Sequence, residues 1–192
     1  GKTRKEIGIE MEKQKNKQKK FKIIVTGSVG TGKSTSSEEL GRLISHKHID
    51  VGKMVVDNKK KLGAGYDRKR KSVVANLEKT RKFLLKKGFL SKGHIIEGHY
   101  SQELLKDPDF VFVLRCDPSE LDKRLIERGY SEKKRAENIL SEILDSATIE
   151  SEYLFGKGKV FEIDTEGRTP RKVALDMKSI LEGKKPRRKF FD

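Results

Sequence analysis

The sequence predicts an α/β fold with a parallel sheet covered by helices on both faces, a three-layer arrangement. Three observations predict it. Short uninterrupted apolar runs recur along the chain, as strands buried on both faces require. Helical patterns stand between those runs, and that alternation builds a parallel sheet. The first apolar run passes straight into a glycine-rich loop and then a helix, which places a ligand beyond the C-terminal ends of the strands.

The elements follow in order. "FKIIVT" (21–26) is the first strand, and "GSVGTGKST" (27–35) follows it directly. Helical patterns cover about 33–45, 69–87, 118–128, 131–154 and 170–182, and the further strands are "HIIEG" (94–98), "FVFVLR" (110–115) and "KVFEI" (159–163). Asp117-Pro118-Ser119-Glu120 is a helix start, with an N-cap, proline at the first helical position and Glu three residues past the cap. Thr169-Pro170 opens the last helix in the same way. Gly129 breaks the helix before it and Ser131 starts another.

The 192 residues fit one domain, over 21–183, between a basic arm (1–20) and a basic tail (184–192). The arm carries eight Lys/Arg against three Glu. Lys plus Arg number 45 and Asp plus Glu 29, so the net charge is 45 − 29 = +16. That balance favours polyanionic partners such as RNA, DNA, nucleotides or anionic surfaces; a solubilising surface is the plainer alternative. Cys116 is the single cysteine, which excludes an internal disulfide and a multi-cysteine metal site, and a reducing, cytoplasmic setting is expected. It reads as core filler, and His46 and His48 as surface residues. No apolar run has membrane-span length, and the basic, polar N-terminus is unlike a signal peptide.

Gly27-x-x-x-x-Gly32-Lys33-Ser34 is a P-loop in its required strand–helix setting. Its glycines let backbone N–H groups turn inward onto phosphates, and the following helix adds free amides and a positive dipole end. Lys33 brings a charge to the outer phosphates, Ser34 is a candidate Mg²⁺ ligand, and Thr35 adds a hydroxyl. The ligand expected is ATP with Mg²⁺. Such chemistry also needs a carboxylate at the end of a neighbouring strand, and Glu97 supplies one, with His99 two residues on. Arginines should converge on the transferred charge. Arg115, at the C-terminal end of "FVFVLR", and Arg124 and Arg128, on one helix face, are the candidates. They lead into "RGYSEKKRAEN", a basic turn between helices suited to a small lid.

"GSVGTGKST", the carboxylate-x-His of "IIEGHYS" and above all "VLRCDPSELDKRLIERGYSEKKRAENILSEIL" resemble the adenylate kinase isoenzyme-6, or CINAP-type, family, and its archaeal members most. The resemblance spans about residues 21–182. It implies an adenylate-kinase-like P-loop NTPase fold with a parallel five-stranded sheet, a monophosphate-binding segment (about 50–73) and a short lid (about 127–137). It implies phosphoryl transfer from ATP to AMP, and ATP hydrolysis. ATP contacts then fall on Gly30, Gly32, Lys33, Ser34, Thr35 and Arg128, and Glu97 and His99 fall on the family's Walker-B-like pair. Joined to the reading of the residues, which adds Thr31 of the loop and Arg115, this places metal binding on Ser34 and Glu97 and catalysis on Lys33, Glu97, His99, Arg115 and Arg128. The family's link to small-ribosomal-subunit maturation implies a small-subunit ribosomal protein and ribosomal RNA as partners. The chain departs from the family in "NKKKLGAGYDRKRKS", which has seven basic residues and one Asp, and in Lys53, where Asp is expected after Gly52.

Three readings follow: an AMP kinase, an ATPase switch in which hydrolysis is the relevant activity, and a basic RNA-binding protein with a vestigial nucleotide site. Aromatics make up only 7% of the chain, so RNA contact is expected to be with the backbone and not with stacked bases.

Overall fold

The computed structural model describes residues 19–67 and 72–184. Most of the basic arm and tail, and part of the basic run after Tyr66, lie outside the described residues. A five-stranded, fully parallel sheet runs β2 (Lys47–Asp50), β5 (His94–Glu97), β1 (Lys22–Gly27), β6 (Phe110–Arg115), β7 (Val160–Asp164). The central position of β1 follows from its sequence: Ile23, Ile24 and Val25 are all fully buried, with no polar side to show to water.

Strand alternation sorts the core into two layers. Ile23, Val25, Ile95, Phe112 and Leu114 face α1 (Lys33–Ile44) and α9 (Pro170–Leu181), meeting Leu40, Val173 and Met177. Ile24, Ile96, Val111 and Val113 face the other way, towards Leu84 of α4 (Leu77–Lys86), Leu104 of α5 (Ser101–Leu104), and Ala147 and Phe155 of α8 (Ser146–Phe155). Each fully buried aliphatic side chain contributes about 1.5–3 kcal/mol. α6 (Pro118–Glu127) and α7 (Glu132–Ile143) follow β6 and lead into α8. Asp117 caps α6 by accepting the Ser119 N–H at 2.8 Å, and Thr169 caps α9.

The structure departs from the sequence expectations at four places. β2, "KHID", carries one buried apolar residue, Ile49, and has no run to betray it. After α2 (Val51–Asp57) and α3 (Lys59–Leu62), β3 (Gly63–Asp67) pairs antiparallel with β4 (Ser72–Ala75), where the helix expected over 69–87 would begin. β-branched Val73 and Val74 favour the strand, and Asn76 starts the helix by accepting the Lys79 N–H at 2.9 Å. The helix expected over 131–154 is two, parted at Asp145, whose φ of +51° no continuing helix allows. His46 is buried, not surface. Its Nδ1–H donates to the Ile44 carbonyl at 2.8 Å and its Nε2 accepts the Phe21 N–H at 2.9 Å. Burial holds its pKa below the usual value, so it joins α1 to β1 as a neutral ring. Cys116 is core, as expected. No helix among the described residues is long and apolar enough to cross a membrane.

Candidate active site

β1, β5 and β2 end side by side, and their loops enclose a cleft of about 320 Å³. The P-loop forms its floor. Gly27 (φ +133°) leaves β1 so close to β6 that a Cβ would sit 2.4 Å from the Leu114 carbonyl oxygen. At Gly30 the φ of +93° favours glycine, and a Cβ would also press on Leu121 Cδ1 of α6 at 2.9 Å. α1 begins at Gly32 with no side-chain cap and no acidic residue in its first turn. Its unpaired N–H groups and dipole are therefore uncompensated by the protein, the arrangement that takes an anion.

Lys33 is 8% exposed, and its Nζ donates to the Ser28 carbonyl at 2.8 Å. Burial lowers its pKa to about 8; Glu97 opposes the shift and Arg128 adds to it. Ser34 Oγ donates to Glu97 Oε2 at 3.0 Å, and the carboxylate itself is buried. His48 Nε2 lies 3.4 Å from the same oxygen, so this histidine belongs to the site and not to an idle surface. β2–β5 register sets Asp50 beside Glu97, and Asp50 caps α2 by accepting the Lys53 N–H at 2.9 Å. His99 opens onto the cleft. Although the residue is exposed at the cleft mouth, partial desolvation, followed by the charge of Lys33, lowers its pKa from the usual value to about 4, and the ring is neutral at pH 7.

Of the residues expected at the site, Gly30, Gly32, Lys33, Ser34, Thr35, Glu97, His99 and Arg128 line one cleft. Two do not. Thr31 is fully buried, with its hydroxyl donating to the Ser28 carbonyl at 2.9 Å, so its side chain braces the loop. Arg115 is turned away from the cleft and paired with Glu142 (2.7 Å), Asp145 and Glu162. The segment expected to be a lid begins with a turn between α6 and α7, from which Arg128 and Tyr130 reach the cleft.

Sequence reasoning missed His48, Tyr100, Tyr130 and Glu142. Tyr100 and Tyr130 line the cleft beside motif residues that had been read. Glu142 accepts from Ser28 Oγ (2.6 Å), Arg115 Nε (2.7 Å) and the Cys116 N–H (3.2 Å), contacts far apart in sequence that no local pattern carries.

The donor set fits Mg²⁺. Ser34 Oγ and Glu97 offer two hard oxygens 3.0 Å apart, and among the described residues no cluster of three His, Cys, Asp or Glu could cage a metal. A site that takes one or two oxygens from protein and the rest from phosphate and water has this character.

An uncapped helix behind a glycine loop, a buried lysine, and a Ser–carboxylate pair at the strand ends define a P-loop enzyme of the kinase type. A family model described as "AAA domain" matches residues 23–145. A "Putative adenylate kinase" from Methanocaldococcus jannaschii is 38% identical over 172 residues, covering 90% of this chain and 92% of the relative. One of the same description from Methanosarcina acetivorans is 37% identical, covering 83% and 86%. The chain belongs to this archaeal family. Its fold is shared with shikimate kinase from Acinetobacter baumannii in complex with shikimate (TM-score 0.62, 14% identity, 88% of this chain and 97% of that one) and with shikimate kinase from Bacteroides thetaiotaomicron (TM-score 0.54, 16% identity, 85% and 99%).

Proposed function

We propose that the protein is an adenylate kinase of the isoenzyme-6 type, moving the γ-phosphoryl group of ATP to AMP. The observation that carries the reading is the uncapped start of α1 beneath Lys33, with Ser34 and Glu97 paired alongside. The α1 amides and P-loop backbone bind the phosphates, and Lys33 Nζ leaves the Ser28 carbonyl to neutralise the outer ones. Ser34 and Glu97 would hold Mg²⁺, which would supply positive charge against the phosphates. Arg128, on the lid turn, closes over the triphosphate. Neutral His99 orients the attacking oxygen without repelling Lys33. Asp50, Val51 and Gly52 form the acceptor side. An AMP phosphate oxygen bonds to the γ-phosphorus as the bond from that phosphorus to the β–γ bridging oxygen breaks, leaving two ADP.

The test is a coupled assay on the purified chain, given Mg-ATP with and without AMP. Two ADP formed per AMP consumed supports the kinase. Phosphate release indifferent to AMP refutes it and supports a second reading, an ATPase switch that holds and releases a small-subunit ribosomal protein beside ribosomal RNA. Exposed Lys53, Lys59, Lys60 and Lys61 on the acceptor flank favour that second reading.

A further inference from the structure

The outer side of the α7–α8 corner is out of character with the rest of the molecule. Of the twelve large hydrophobic residues exposed among the described residues, six lie between 140 and 154. Leu140, Ile143 and Leu144 are 55%, 58% and 56% exposed and share one face of the α7 end by their spacing. Ile149 and Tyr153, four residues apart on α8, are 61% and 88% exposed, and Leu154 follows them. α8 already spends Ala147 and Phe155 on the core, so it is apolar on both sides. A helix of that kind is normally covered on both sides.

The charge of the same stretch says what covers it. The chain has 45 Lys and Arg, yet none falls between Ala136 and Gly156, where five carboxylates do; three of these, Glu142, Asp145 and Glu152, are paired with Arg115 or Lys157 from outside the stretch. Glu137 and Glu150 are exposed, and neither has an ion-pair partner among the described residues. Partial desolvation raises the pKa of Glu150, and repulsion from Glu103 of α5 adds to it, in a protein with cations to spare. A second copy meeting this face about a two-fold axis would set carboxylates against carboxylates, and a nucleic acid would be repelled by them.

We propose that the α7–α8 corner is a docking surface for a basic amphipathic polypeptide segment of another protein. Its apolar side chains would cover Ile143, Ile149 and Tyr153, and its Lys or Arg would reach Glu137 and Glu150. The proposal rests on surface chemistry and is independent of which acceptor the cleft takes.

The probe is a fluorescein-labelled 18-residue Leu/Lys peptide with one apolar helical face, followed by anisotropy and by amide exchange of the full chain. Binding in the low micromolar range at low salt is expected, despite the protein's own +16 charge, with slowed exchange over 140–154. Ile143→Ser with Ile149→Ser, and separately Glu137→Gln with Glu150→Gln, should each weaken it at least tenfold. All four positions are exposed, and an unchanged melting temperature checks that the variants fold. A scrambled peptide of equal composition should bind at least tenfold more weakly. Absent binding, or affinity unchanged in both variants, would overturn the proposal. So would a concentration-dependent dimer that Ile143→Ser with Ile149→Ser abolishes, or an RNA oligomer that slows exchange over the same residues.

Discussion

Lys33 is placed where it weakens the fold. Its pKa falls from 10.5 to about 8, so at neutral pH it keeps a charge that burial opposes, at a cost of about 3 kcal/mol. The sign follows from proton binding: between pH 8 and 10.5 the unfolded chain binds the proton that the folded chain has lost. The penalty is therefore whole below about pH 8, and stability rises as pH climbs through that window. Lys33→Met should abolish phosphoryl transfer and stabilise the protein by roughly 1–3 kcal/mol, read by denaturant titration. The Ser28 carbonyl is not orphaned by the change, because Thr31 Oγ1 also donates to it. Triphosphate binding should restore the lysine's charge. At pH 9, calorimetry in buffers of different ionisation enthalpy should then show uptake approaching one proton per ATP; no uptake would place the phosphates away from Lys33. The P-loop residues were legible because their spacing is itself the geometry. Arg115 was not. An arginine at a strand end has the same sequence whether it faces a ligand or faces Glu142 and Glu162, which lie 27 and 47 residues further on.

At the scale of elements, Arg115 and Arg128 separate support from chemistry. Arg115 ties β6 to α7, to the Asp145 corner and to β7 through Glu142, Asp145 and Glu162. Asp145 pays a left-handed φ for that corner, which the guanidinium offsets. Arg115→Met should cost about 3–5 kcal/mol, since it strands the buried Glu142, while leaving kcat within a few-fold at temperatures where the variant is folded. Arg128→Ala should shift stability by less than about 0.5 kcal/mol and lower kcat by roughly 10²-fold. The reverse pattern, read by urea titration beside single-turnover rates, would return Arg115 to the site. Elements with long apolar runs were legible. β2 was not, because an edge strand buries little, and the α7–α8 break was not, because it falls at an aspartate in the left-handed region and not at a glycine or proline. The β3–β4 hairpin lacks a tight turn signal and lies within a lysine-rich stretch, so it read as the start of the next helix.

At the scale of the molecule, the net charge of +16 and the gap in Lys and Arg over 136–156 both stand in the sequence, whereas the exposed apolar face that coincides with the gap does not. An α7–α8 corner with no Lys or Arg of its own over 136–156 stands on the same molecule as exposed Lys59, Lys60 and Lys61 on α3. If the acceptor flank meets RNA, contact is with phosphates, because few aromatics are free to stack and Tyr100 and Tyr130 already line the cleft. Binding to a single strand should then weaken with salt, log K falling against log salt by about 0.7 per phosphate neutralised. Homopolymers of different base should differ little in affinity. Replacing Lys59, Lys60 and Lys61 together by Gln should flatten the slope by about 2, as three lost phosphate contacts require. The three side chains are exposed, so melting temperature and Mg-ATP binding should stay as they were. An unaltered slope would move RNA contact off the acceptor flank. No RNA binding at low salt would leave the surplus charge to solubility alone, and the cleft to nucleotides.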